Sequence, residues 1–181
     1  SHQYSTGNNR SVINLVDSQA SKGKRMTQAF LYSVEREYPV GIDRMWQAWT
    51  TTSELETWYH GTEHSCVKGA TTSELHVGGL WTVAIDVPQF NFVAYFYGQY
   101  QAIETNRQLK HTLHYTQSVD EFALRDMSTP SHLIVIDFED RGASSWARFS
   151  QFGEMPEGQA EQAQAGMESY FDSLGIFLNS K

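Results

Sequence analysis

The stretch Tyr32–Trp58, YSVEREYPVGIDRMWQAWTTTSELETW, joins two different hydrophobic periods across one short turn. From Phe30 to Tyr38 the side chains alternate: Phe30, Tyr32, Val34, Arg36 and Tyr38 share one face, and Leu31, Ser33, Glu35 and Glu37 share the other. A period of two sustained over that length reads as a half-buried strand. Pro39 and Gly41 break it. Ile42, Met45, Trp46 and Trp49 then recur at helical spacing, and Ser53 is placed to cap a second short helix carrying Leu55 and Trp58. Tryptophans at 46, 49 and 58, on helices fed directly from a strand, imply a cover over an apolar space, with the loop Tyr59–Gly69 as a mobile lid.

Working outward, a second alternating run holds Leu75, Val77, Trp81, Val83 and Ile85, interrupted by Gly78-Gly79. Paired glycines inside a strand mark a bulge or bend. Pro88 ends that run, and Phe92–Tyr100 (FVAYFYGQY) follows, aromatic along most of its length. A turn at Asn106-Arg107 leads into Leu109–Tyr115. Residues 118–130 read as a loop with room for a helical turn at Glu121–Met127. Leu133–Phe138 (LIVIDF) and Ser145–Phe152 are strands joined at Arg141-Gly142.

The last element is a helix from about Pro156 to Leu178, since proline suits a first helical position. Ala163, Met167, Tyr170, Phe171, Leu174, Phe177 and Leu178 form a stripe wide enough to face a core. Strands in sequence with helices gathered on one face give an α+β fold. The expectation is a curved antiparallel sheet of about six or seven strands wrapped on the C-terminal helix.

The chain has 181 residues, enough for one ordinary domain with a real core. Its aromatic share of 13% is high, and aromatics wall a cavity as readily as they fill one. No run approaches the ~20 apolar residues of a membrane helix, and no apolar signal-peptide core stands near the start. Cys66, the lone cysteine, excludes an internal disulfide and suits a reducing cytoplasm. Residues 1–25 read as a polar tail or extension, with Met26 as a natural start of the domain 26–181. That tail carries a net +3, so the remainder carries −11. A balance of this kind repels phosphate backbones, which excludes nucleic acid as the expected partner.

Several strings resemble the START-like (SRPBCC) superfamily, which includes polyketide cyclases. They are Val34 and Arg36 with Tyr38; Met45-Trp46 with Ala48-Trp49-Thr50; Trp58; ELHVGGLW from Glu74 to Trp81; Gly98-Gln99-Tyr100; and Gly166-Met167 with Phe171. Within that superfamily the chain is most similar to the family named for the activator of the heat-shock-protein-90 ATPase. The resemblance implies a helix-grip fold and a hydrophobic pocket between the sheet and the last helix. The expected walls are Trp46, Trp49, Trp58, His76, Trp81, Tyr95, Tyr97, His111, Phe149, Met167, Tyr170 and Phe171, with Arg36 as the polar anchor. Val40-Gly41 stands where the family usually has Ala-Pro, His76 where it commonly has Arg, and Gly166-Met167 where it usually has Gly-Trp. The last two departures fall near the expected pocket, so ligand identity does not carry over.

Catalytic chemistry is thinly marked. His60-Gly61-Thr62-Glu63-His64 matches an inverted zinc-peptidase string, but Gly61-Thr62 weakens the helix that would put both histidines on one face. No metal or other cofactor is expected. His111 and His114, three apart on a strand, point to opposite faces. Arg36 on an inward face needs a carboxylate or a ligand anion, and Asp86, Asp137 and Glu139 are candidates. Nucleotide loops, a Gly-x-Ser-x-Gly elbow and Cys-x-x-Cys are all absent. Three readings stay open. The first is a cytoplasmic binding module for a small hydrophobic molecule, as monomer or homodimer. The second is an aromatase/cyclase- or hydrolase-like enzyme in which Arg36, His76, His111 or Tyr97 moves protons. The third is a chaperone-interacting protein, implied by the family name.

Overall fold

The alternation at Phe30–Tyr38 becomes an edge strand, β1, whose Tyr32, Val34 and Tyr38 are buried while Glu35 and Glu37 face solvent. The computed structural model describes residues 28–180, so the expected tail 1–25 lies outside the described residues. After β1 come helices α1 (Ile42–Thr50) and α2 (Thr52–Trp58) and the two-residue strands β2 (Ser65–Cys66) and β3 (Thr72–Ser73). Then follow β4 (Leu80–Val87), β5 (Phe92–Glu104), β6 (Gln108–Thr116) and a short helix α3 (Val119–Leu124). The chain ends with β7 (His132–Arg141), β8 (Ser144–Phe152) and the long helix α4 (Gln159–Asn179).

The sheet runs β1-β8-β7-β6-β5-β4-β2, antiparallel throughout, with β3 also on β4. It curls into a half-barrel with α4 in its hollow, so the α+β helix-grip architecture is present. Tyr38 on β1 fixes the helix by donating to the Phe171 carbonyl at 2.6 Å. The inward residues of β4 pair across to inward residues of β5: Trp81 with Gly98, Val83 with Phe96, and Ile85 with Ala94. Gly98 is needed there, because a Cβ would stand 1.9 Å from the Thr112 carbonyl oxygen. Burial of side chains such as Met45, Leu55, Ile134 and Leu174, each fully enclosed, supplies roughly 1.5–3 kcal/mol apiece.

Local details depart from the sequence reading where backbone chemistry overrides pattern. Leu75 and Val77 do not extend β4; they stand 43% and 65% exposed in a tight turn. Gly78 has φ +87°, and its N–H donates to the Tyr100 carbonyl at 2.8 Å, so the glycine pair docks a turn on β5. α4 begins at Gln159 rather than near Pro156, since Gly158 takes φ +88° and redirects the chain. α2 starts at Thr52, so Ser53 lies inside it and is not its cap. In α3, Ser118 Oγ accepts from the Glu121 N–H at 3.2 Å, and Phe122 covers the outer face of β5.

Candidate functional site

Along the inward side of α4 the bulky side chains give way at Ala163 and Gly166, and the sheet opposite does not fill the space. The result is a cavity of about 240 Å³ between sheet and helix. Phe149 from β8, Phe96 from β5 and Leu113 from β6 form its sheet side. Ala163, Gly166, Met167 and Tyr170 form its helix side, and Met155 closes the approach to α4. The volume falls below the ~300 Å³ at which drug-sized ligand pockets begin, so its occupant is small.

No charged side chain lines the cavity. Its polar groups are three phenols and one amide, from Tyr32, Tyr59, Tyr170 and Gln151. Tyr32 on β1 donates its hydroxyl to Gln151 Oε1 on β8 at 2.6 Å. Gln151 Nε2 donates to His132 Nδ1 at 2.7 Å, which leaves His132 Nε2–H to donate to the Glu154 carbonyl at 3.0 Å. Burial raises all three tyrosine pKa values well above the ordinary phenol, and for Tyr59 the neighbouring Tyr170 and Tyr32 push the same way. Around neutral pH the cavity therefore offers neutral hydroxyls and no base. Beside it, burial pushes the Cys66 thiol up to about 12, while Sγ donates to the Tyr59 carbonyl at 3.3 Å. A thiol held protonated is no nucleophile.

Of the expected walls, Phe149, Met167 and Tyr170 line this cavity. Trp49, Trp58, Trp81 and Phe171 do not: they are 2% exposed or less and packed inside the core. Trp46 is half-buried on Phe138, ring centres 5.3 Å apart. Tyr95 and Tyr97 lie on the outer sheet face, Tyr95 tilted against Phe122 and Tyr97 stacked on His114. His76 stands exposed in the 75–79 turn. His111 faces inward but is sealed, stacked on Trp81 at 4.1 Å with Nδ1 donating to the Thr112 carbonyl at 2.7 Å.

Arg36 is paired elsewhere than expected: its partners are Asp172 and Glu168 of α4, each at 2.7 Å, rather than Asp86, Asp137 or Glu139. It therefore lies in a separate groove with Tyr38 and Ile176, away from the cavity. Arg36, His76, His111 and Tyr97 do not converge on a common point, and the proton-transfer reading built on them is withdrawn. His60 sets its ring nitrogens against the carbonyls of Gly61 and Thr57 at 2.7 and 2.9 Å. Among the described residues no cluster of three His, Cys, Asp or Glu side chains could hold a metal. No helix among them is long and apolar enough to cross a membrane.

The helices expected to cover the cavity instead plug the core, and the loop after them is pinned. Ser173 Oγ of α4 donates to the Trp58 carbonyl at 2.7 Å, and Ser169 Oγ accepts from the Thr62 N–H at 2.9 Å. From this whole region only Tyr59 reaches the cavity. Tyr32, Tyr59, Phe96, Leu113, Gln151, Met155, Ala163 and Gly166 were not among the residues expected from sequence. For Ala163 and Gly166 a signal existed: they are the small residues on a helix face otherwise carrying Met167 and Tyr170.

A comparison with curated proteins returns no match. Among solved structures, the AHSA1 protein from Silicibacter pomeroyi superposes with a TM-score of 0.67 at 13% identity, covering 82% of this chain and 96% of that one. A Staphylococcus epidermidis protein gives 0.66 at 21% identity, over 87% and 93% of the two chains. A Chromobacterium violaceum protein gives 0.66 at 13%, over 80% and 94%. At such identities the likeness is one of fold. The profile described as Activator of Hsp90 ATPase homolog 1-like protein matches residues 39–179, from the turn after β1 to the last residue of α4. With most of its length matched, the chain belongs to that family.

Proposed function

We propose that this protein is a cytoplasmic binding module that holds one small apolar molecule in the cavity between the sheet and α4. The observation that carries this reading is the cavity itself: about 240 Å³ of space, walled mainly by aromatic and aliphatic side chains and kept open by Ala163 and Gly166. A concave, largely apolar space with few and uncharged polar groups suits a neutral ligand with a largely hydrocarbon body. The lone, half-buried Cys66 supports a reducing compartment.

Native mass spectrometry of freshly purified protein tests this directly, alongside a toluene titration followed by amide NMR. The expected results are a co-purified small mass, or toluene-dependent shifts at Tyr59, Phe96, Phe149 and Met167. A protein that carries no adduct and shows no shift at those residues would overturn the reading.

A further inference from the structure

The four polar groups of the cavity are unequally satisfied. Tyr32 is committed to Gln151, and the Gln151 amide nitrogen to His132. The hydroxyls of Tyr59 and Tyr170 have no hydrogen-bond partner among the described residues, although Tyr59 is only 4% exposed. Neither oxygen is among the unpartnered polar atoms sealed inside packed side chains, so each is reachable by water, and both residues line the cavity. Their rings meet edge to face at 5.2 Å, and Tyr59 is further clamped by Trp58 at 5.3 Å and Trp81 at 5.4 Å. These are preset donors. A ligand that displaces water from these hydroxyls leaves them unpaired unless it brings an acceptor of its own.

We propose that the cavity selects small, uncharged, apolar molecules bearing one accepting oxygen of the ketone, aldehyde or ester type, seated at the Tyr59–Tyr170 end. The carbon skeleton then lies against Phe96, Leu113 and Phe149. The inference rests on the cavity being a ligand site and adds the chemistry of the ligand. Two further features narrow the class. Both hydroxyls are kept protonated by burial, so they donate to the oxygen and do not repel it. No cation lines the cavity, and Arg36 is held by Glu168 and Asp172 in a different groove, so a carboxylate would enter without a counter-charge.

The test uses probes of one shape. Acetophenone and α-methylstyrene differ by an oxygen in place of a methylene group, and benzoate replaces the ketone with an anion. Affinities are measured by NMR titration on the wild-type protein, on Tyr59→Phe and on Tyr170→Phe. Acetophenone is expected to bind about tenfold tighter than α-methylstyrene, although it is the more water-soluble of the two. Benzoate is expected not to bind at pH 7. Each Phe variant keeps its ring and loses one hydroxyl, and at least one is expected to erase the ketone preference, acetophenone losing affinity relative to α-methylstyrene. Equal binding of the two neutral probes by the wild type overturns the inference and leaves the cavity reading standing. So does a preference that survives both variants, or tight binding of benzoate. If neither neutral probe binds, the cavity reading falls with it.

Discussion

The indole N–H of Trp58 donates to the carbonyl oxygen of Ala48 at 2.8 Å, tying the end of α2 to the body of α1. Trp58 is fully buried, and its ring meets Trp49 edge to face at 4.7 Å. This geometry makes it a core plug and not a wall of the cavity. Trp58→Ala is expected to cost ~3–5 kcal/mol in urea unfolding, the range of a core aromatic truncation. A loss under ~1 kcal/mol, or an effect confined to ligand affinity, would return Trp58 to the cavity wall.

His111 sets an acid limit on stability. Burial lowers its pKa from the ordinary 6.5 to about 4, while the hydrogen bond to the Thr112 carbonyl acts weakly in the other direction. Between those values the unfolded chain binds a proton that the folded chain refuses. The contribution is thus complete above pH ~6.5 and lost as pH falls to about 4. His111→Phe keeps a ring against Trp81 and removes the titration. Its unfolding free energy should fall less steeply over that interval than the wild type's; parallel curves would refute the assignment.

The fold was legible because its deciding signals are local and do not compete. β1 alternates cleanly, two short helical repeats follow it at once, and α4 carries one apolar stripe. The cavity was harder to read, for two physical reasons. Phe92–Tyr100 carries aromatics on both alternating faces, so no alternation shows which face turns inward. Phe96 does so, while α3 buries Tyr95 and Tyr97 on the outside. The second reason is that a cavity records where large side chains are missing. Tryptophans drew attention to the core at Trp49 and Trp58, whereas the space opened beside Ala163 and Gly166. Tyr59 had no pattern to flag it, because it stands just past the end of α2, where helical periodicity stops.

Gly98 tests how tightly the inner sheet face is built. With the Thr112 carbonyl oxygen 1.9 Å from where a Cβ would stand, Gly98→Ala forces β5 and β6 apart beside their register shift. The expected loss is ~1–3 kcal/mol, the usual cost of overpacking, read as a lower melting temperature. An unchanged melting temperature would mean that β6 shifts without penalty.

Gly166 separates the needs of the helix from those of the cavity. It lies inside α4, lines the cavity and is itself exposed, and a Cβ there meets nothing within 4 Å. Helix propensity alone then favours alanine, by about 1 kcal/mol. Gly166→Ala should therefore raise stability slightly and still admit toluene, because a methyl group occupies little of the opening. Gly166→Leu gains most of the same propensity but sends a branched side chain back over the preceding turn, toward Ala163. It is expected to be at least as stable as the wild type and to lose toluene binding by NMR. A leucine variant that binds toluene with wild-type affinity would place the ligand elsewhere. A leucine variant that unfolds would show that the space beside Gly166 is closed to an added side chain.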